Sequence, residues 1–140
     1  MKLERLLELK SKMAQVEDLA EAWNFFFDHF GEDPAFFQHG ELAEEPKLAM
    51  LVQEIGRKVY GEKALVMPPI LKRIPAYDFV HGSGLVNGHL AVVIFFKDID
   101  MGLLSIMEGI DRTVLMRFST FEMDGDKTVV LQSPASGKIQ

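Results

Sequence analysis

The apolar residues of this chain change period near residue 62, and that change constrains the fold more than any other feature of the sequence. Before it they fall at Leu6, Leu9, Met13, Val16, Ala20, Trp23, Phe27 and Phe30, alternately three and four apart. This is the stripe of an amphipathic helix, with Gly31 as a natural stop just past its end. After it, Val, Ile and Phe alternate with other residues between turn signals, as strands do. Helices first and strands afterwards define an α+β domain, with N-terminal helices packed on one face of a C-terminal antiparallel meander of four to five strands. The 140 residues suit a single domain, 1–140, with a helical part over 1–62 and a sheet over 70–132.

No Gly or Pro interrupts residues 1–30. An unbroken helix of that length would run about 45 Å, against a radius of gyration of about 14 Å for a domain of this size. Either the helix breaks, with Ser11 the expected place, or its first turns project. Projecting turns would offer Leu6, Leu9 and Met13 as a seam to a second copy. The competing reading lays the same turns across the domain's own sheet. Further on, Asp33-Pro34 pairs an N-cap with a proline suited to the first helical position, and predicts a short helix through Phe36 and Phe37 to Gly40. Glu45-Pro46 opens another, with Leu48, Leu51, Val52, Ile55 and Val59 on one face and Gly61 closing it.

Met67-Pro68-Pro69 reads as a rigid connector into the sheet half. Asn87-Gly88 is a strong hairpin signal. Folding about it pairs residues whose numbers sum to 175, so that Val86 faces His89 and Asp78 faces Lys97. Asp124-Gly125 predicts a second hairpin, with Glu122 opposite Lys127 and with Val114, Met116 and Phe118 sharing a face with Val129 and Leu131. Residues 101–111 are left between a short strand, Leu103 to Met107, and a helical turn.

Charge and composition exclude several classes of function. There are 15 Lys and Arg against 21 Asp and Glu, and no cysteine. Without cysteine there is no disulfide scaffold, thiolate metal site or cysteine nucleophile, and the acidic balance argues against a nucleic-acid binder. The first residues are charged too often for a signal peptide, and no window reaches the roughly 18 apolar residues of a membrane helix. The expectation is a cytoplasmic protein with neither nucleic acid nor membrane as a partner. Residues 1–62 hold 7 basic and 13 acidic side chains, and residues 63–140 hold 8 of each. The excess falls in one stretch, where Asp28, Glu32, Asp33, Glu41, Glu44 and Glu45 lie with no Lys or Arg between them.

His29 and His39 lie in that stretch, and imidazole with carboxylate suits a divalent metal. Helical metal pairs are spaced three or four apart, which these are not. Acidic residues at two helix starts also complement the helix dipoles. No cofactor is therefore expected, with His29 and His39 as the alternative metal ligands. His81 and His89 look like a pair when read along the chain, but in the simple hairpin they project to opposite faces. A bulge at Gly82-Ser83-Gly84 would reverse His81. That tripeptide lacks the pattern of a nucleophile elbow and of a phosphate loop. Asp98-Ile99-Asp100 reads as a solvated turn. Arg117 lies mid-strand, where a guanidinium could take an anionic ligand. No complete catalytic set emerges; Tyr77, His81, Asp98 and Arg117 are the ligand-binding candidates.

The order of helices followed by a curved meander resembles the cystatin-like α+β arrangement, which includes NTF2-like domains. The resemblance is one of element order and implies a pocket between helices and sheet. Two functional expectations follow. The first is a non-enzymatic binding or assembly module that forms a homodimer through the N-terminal seam. The second is a small-molecule-binding domain, or an enzyme, with its pocket between helices and sheet.

Overall fold

The computed structural model describes residues 2–15, 19–110 and 112–119, together with the backbone of 123–131. The first helix, α1, spans Arg5–Ala14, and the chain leaves it at Gln15 in an extended conformation. The break thus falls beyond Ser11. A second helix, α2, covers Leu19–Phe26 and runs into a π turn, Phe27–Gly31. There the Glu32 amide donates to the Phe27 carbonyl, five residues back, at 3.2 Å. Leu6, Leu9 and Met13 are buried in the chain's own core, so the N-terminal seam lies across the sheet and does not project. Beyond the break the buried stripe is Ala22, Trp23, Phe26 and Phe30, with Ala20 and Phe27 only half-buried. Val16 lies outside the described residues.

Asp33 Oδ1 accepts a hydrogen bond from the Ala35 amide at 3.0 Å, and a 3-10 turn follows over Phe36–Gln38. At Gly40, φ is +104°, and a side chain there would sit 2.8 Å from the Arg73 carbonyl. Glycine is what lets the chain pass this close and enter the two-residue strand β1, Glu41–Leu42. The helix α3, Pro46–Tyr60, starts on its proline and ends at Gly61, whose φ is +98°.

Six longer strands follow: β2 Val66–Ile74, β3 Phe79–Val86, β4 His89–Phe96, β5 Met101–Gly109, β6 Arg112–Phe118 and β7 Met123–Leu131. Together with β1 they form one antiparallel sheet in simple sequence order. The α+β meander is as expected, with more strands. Residues 101–109 make a full strand, and Met67-Pro68-Pro69 lies inside β2 instead of connecting to it. Prolines are tolerated there because β1 pairs only with Lys72 and Arg73, at the other end of β2.

The Asn87-Gly88 hairpin has the expected register, from Val86 opposite His89 to Phe79 opposite Phe96. Beyond it the Lys97 amide donates to the Asp78 carbonyl at 2.9 Å. The two side chains pair elsewhere, Asp78 with Arg73 and Lys97 with Glu45. The second hairpin differs. Thr113 pairs with Leu131, Val114 with Val130 and Met116 with Thr128, which places Asp124-Gly125 within β7 and not at a turn. The expected Glu122–Lys127 pair involves Glu122, which lies outside the described residues. In β6, Val114, Leu115 and Met116 are all buried, so alternation cannot select the register. An irregularity between Met116 and Phe118 shifts it further.

The sheet is covered on both faces. As expected, α1 and α2 pack on one, against Phe79, Val92, Ile94, Phe96, Leu103 and Leu115. The third helix, α3, departs from the one-face expectation and packs on the other, against Val80, Val86, Val93, Phe95, Leu104 and Met116. The unbroken apolar run Leu90 to Phe96 is what a strand buried on both faces requires. Between β3 and β4 there is no bulge; the irregularity is in β2, between Met67 and Ile70. A side chain at Gly84 would meet the Met67 carbonyl at 2.6 Å, and one at Gly82 would meet that of Ile70. The two glycines accommodate the neighbouring strand, and His81 keeps its place on the α1/α2 face.

Candidate functional site: a cavity beneath the second helix

Between the α1/α2 layer and the sheet lies a cavity of about 280 Å³. Its helical wall is built from Trp23 and Phe26 of α2, Phe27 and Gly31 of the π turn, and Phe37 of the 3-10 turn. Its floor is Ser83 of β3, Leu90 and Val92 of β4, and Met107 of β5. The register explains the floor. Ser83 is opposite Val92 and Leu90 is opposite Met107, so two neighbouring cross-strand pairs face the same way.

The wall follows from local sequence. The Trp23 ring lies 6.0 Å from that of Phe26 and 5.9 Å from that of Phe27. Phe37 meets Phe26 edge-on at 6.3 Å. A side chain at residue 31 would come within 2.9 Å of Phe27 Cδ2, so glycine lets that ring lie against the turn's own backbone. A π turn places one more residue in the turn and re-aims its side chains, and such turns recur at functional sites. Ser83 and Leu90 are exposed at the mouth, while Trp23, Phe26 and Val92 are buried. No charged side chain lines the cavity among the described residues. The Trp23 indole Nε1–H is buried and has no hydrogen-bond partner among them.

The four residues anticipated from sequence do not form this site. His81 is fully buried, stacked on Phe36 at 4.5 Å and flanked by Phe79 and Phe37. Its Nε2–H donates to the His39 carbonyl at 2.9 Å, which fixes the tautomer because a carbonyl only accepts. Burial pushes the imidazole down from 6.5 to about 4, outweighing the hydrogen bond to His39. Arg117 shares a face and a cross-strand row with His81, through Ile94 and Leu103. Three strand spacings separate the two, roughly 14 Å, and both intervening side chains are buried. Tyr77 is half-buried in a 3-10 turn, Pro75–Tyr77, against the α1/α2-side core. Asp98 pairs with Lys10 of α1.

His29 packs its ring on Phe25 at 4.4 Å, and His39 takes part through its backbone. Among the described residues no group of three or more His, Asp or Glu side chains is gathered to hold a metal. A separate polar cluster at the end of α3 satisfies itself: the Tyr60 hydroxyl donates to Glu108, which also pairs with Arg112 at 2.7 Å.

Every side chain lining the cavity was absent from the sequence-based candidates. In the sequence Phe27 belongs to the apolar helical stripe, and Ser83 to a tripeptide considered as a bulge, a nucleophile elbow and a phosphate loop. One signal was present: three consecutive Phe residues on a helix cannot all face one way, so some of them must line a different surface. Comparison with protein-family models, with curated proteins and with solved structures finds no match to this chain.

Proposed function

We propose that this chain is a non-enzymatic small-molecule-binding domain, and that the cavity beneath α2 is its ligand site. The observation that carries the reading is the cavity itself: about 280 Å³, lined by aromatic and aliphatic side chains and open at Ser83 and Leu90. Well-packed interiors leave few voids larger than a water molecule. An apolar cavity of about 150 Å³ is enough to take benzene, so this one has room for a ligand of one to two rings. Among the described residues the lining carries no acid, base or metal-ligating group beside Ser83, which supports binding and not turnover. Self-association through the N-terminal seam loses its motive, since Leu6, Leu9 and Met13 are already buried.

The test is a fluorescence titration with 6-propionyl-2-(dimethylamino)naphthalene, a neutral two-ring compound that brightens in apolar surroundings. The expected result is saturation at one probe per chain, with at least a fivefold loss of affinity in Leu90→Trp, which blocks the mouth. A signal that never saturates, or a Leu90→Trp protein that binds the probe equally well, refutes the reading.

A further inference from the structure

The lining defines the ligand more narrowly than its size does. Resting on the ligand-site reading above, we propose that the ligand is an uncharged, planar aromatic molecule with one hydrogen-bonding substituent, its ring against Trp23 and Phe27 and its substituent at the Ser83 hydroxyl. Three observations carry this. The helical wall is made of flat rings, whose faces and edges favour offset or edge-on contact with another ring over an aliphatic chain of equal volume. Met107, on the opposite side, adds a sulfur, which also favours aromatic neighbours.

The second observation is the distribution of polar groups. Among the described residues Ser83 is the one polar side chain at the mouth, and the rest of the floor is Leu90, Val92 and Met107. A single hydroxyl can both donate to and accept from one substituent, whereas the apolar floor penalises any second polar group left unpaired. The third is charge. The wall belongs to residues 23–37, which include Asp28, Glu32 and Asp33 and contain no Lys or Arg. A carboxylate ligand would enter against that field and find no cation in the lining among the described residues.

The experiment is calorimetric titration of the full chain with four probes of similar size: naphthalene, 2-naphthol, 2-naphthoate and decalin. The expected order puts 2-naphthol about fivefold tighter than naphthalene, the worth of one net hydrogen bond, with decalin and 2-naphthoate weaker than both. Ser83→Ala should remove the advantage of 2-naphthol over naphthalene, and Ser83→Thr should keep it. Decalin binding as tightly as naphthalene, 2-naphthoate binding tightest, or an advantage for 2-naphthol that persists in Ser83→Ala each overturns the proposal while leaving the ligand site standing. Failure of all four probes, naphthalene included, instead overturns the ligand-site reading itself.

Discussion

His81 is a base held without charge in a box of phenylalanines, and this makes stability depend on pH. Its folded pKa of about 4 lies below the ordinary 6.5, so the unfolded chain binds the proton more readily. The stabilisation is therefore complete above pH 6.5 and is lost progressively as the pH falls toward 4. At about 1.4 kcal/mol per unit, the loss at pH 4.5 amounts to roughly 2–3 kcal/mol. Urea midpoints at pH 7.5 and 4.5 should show this fall in the native chain and a smaller one in His81→Phe; equal falls would contradict it. Gly102 poses a second residue-scale question. It sits between Phe95 and Phe118 in one cross-strand row, and those two rings stack at 6.0 Å with 9° between their planes. A side chain at 102 would enter the space of the Phe118 ring. Gly102→Ala should thus destabilise by about 1–3 kcal/mol, as overpacking does, read as a lowered denaturation midpoint. Substitution without cost would mean that Phe118 turns aside freely.

At the scale of elements, α1 belongs to the fold. Leu6, Leu9 and Met13 reach the same core as Ile94 and Leu103, and each large apolar side chain removed from such a core costs about 2–5 kcal/mol. Deleting residues 1–12 should therefore collapse the cooperative unfolding transition. A truncated chain that still melts sharply near the native temperature would show that α1 is dispensable. Much of this level was legible in the sequence. The three-and-four spacing marked residues 6–30 as helical, though not the break after Ala14 that separates α1 from α2; Pro46 and Gly61 bounded α3, and Asn87-Gly88 set the β3–β4 register residue by residue. The β6–β7 register was not legible, because a strand apolar on both faces satisfies either pairing. The side taken by α3 was not legible: helix spacing shows which face of a helix is apolar, but not which face of the sheet it covers, and α3 packs opposite α1 and α2.

At the scale of the whole molecule, two helical layers enclose one sheet, and none of the described helices is long and apolar enough to cross a membrane. A cavity in such a body has a cost, since its lining forgoes contacts that a closed core would make. Filling it should therefore favour stability over binding. Met107→Phe is expected to hold or raise the denaturation midpoint while weakening binding of 6-propionyl-2-(dimethylamino)naphthalene severalfold; a destabilised variant that still binds would contradict this trade. The cavity could not be read from the sequence, because its walls are the same Phe, Leu, Val and Met that build closed cores. It arises where α2, the π turn and the sheet fail to meet, and that is a property of their placement. The polar residues that stood out along the chain were instead spent on structure, Asp98 on Lys10 and His81 on the His39 carbonyl. Entry of a ring-bearing ligand beneath α2 has a natural reporter, because Trp23 is the chain's single tryptophan. Its indole Nε1–H gives one cross-peak in a proton–nitrogen correlation spectrum, which can be followed as 2-naphthol is added. With the ligand beneath α2 this peak moves and saturates at one ligand per chain; a peak that stays still while ligand binds elsewhere, or that drifts without saturating, contradicts entry at this site.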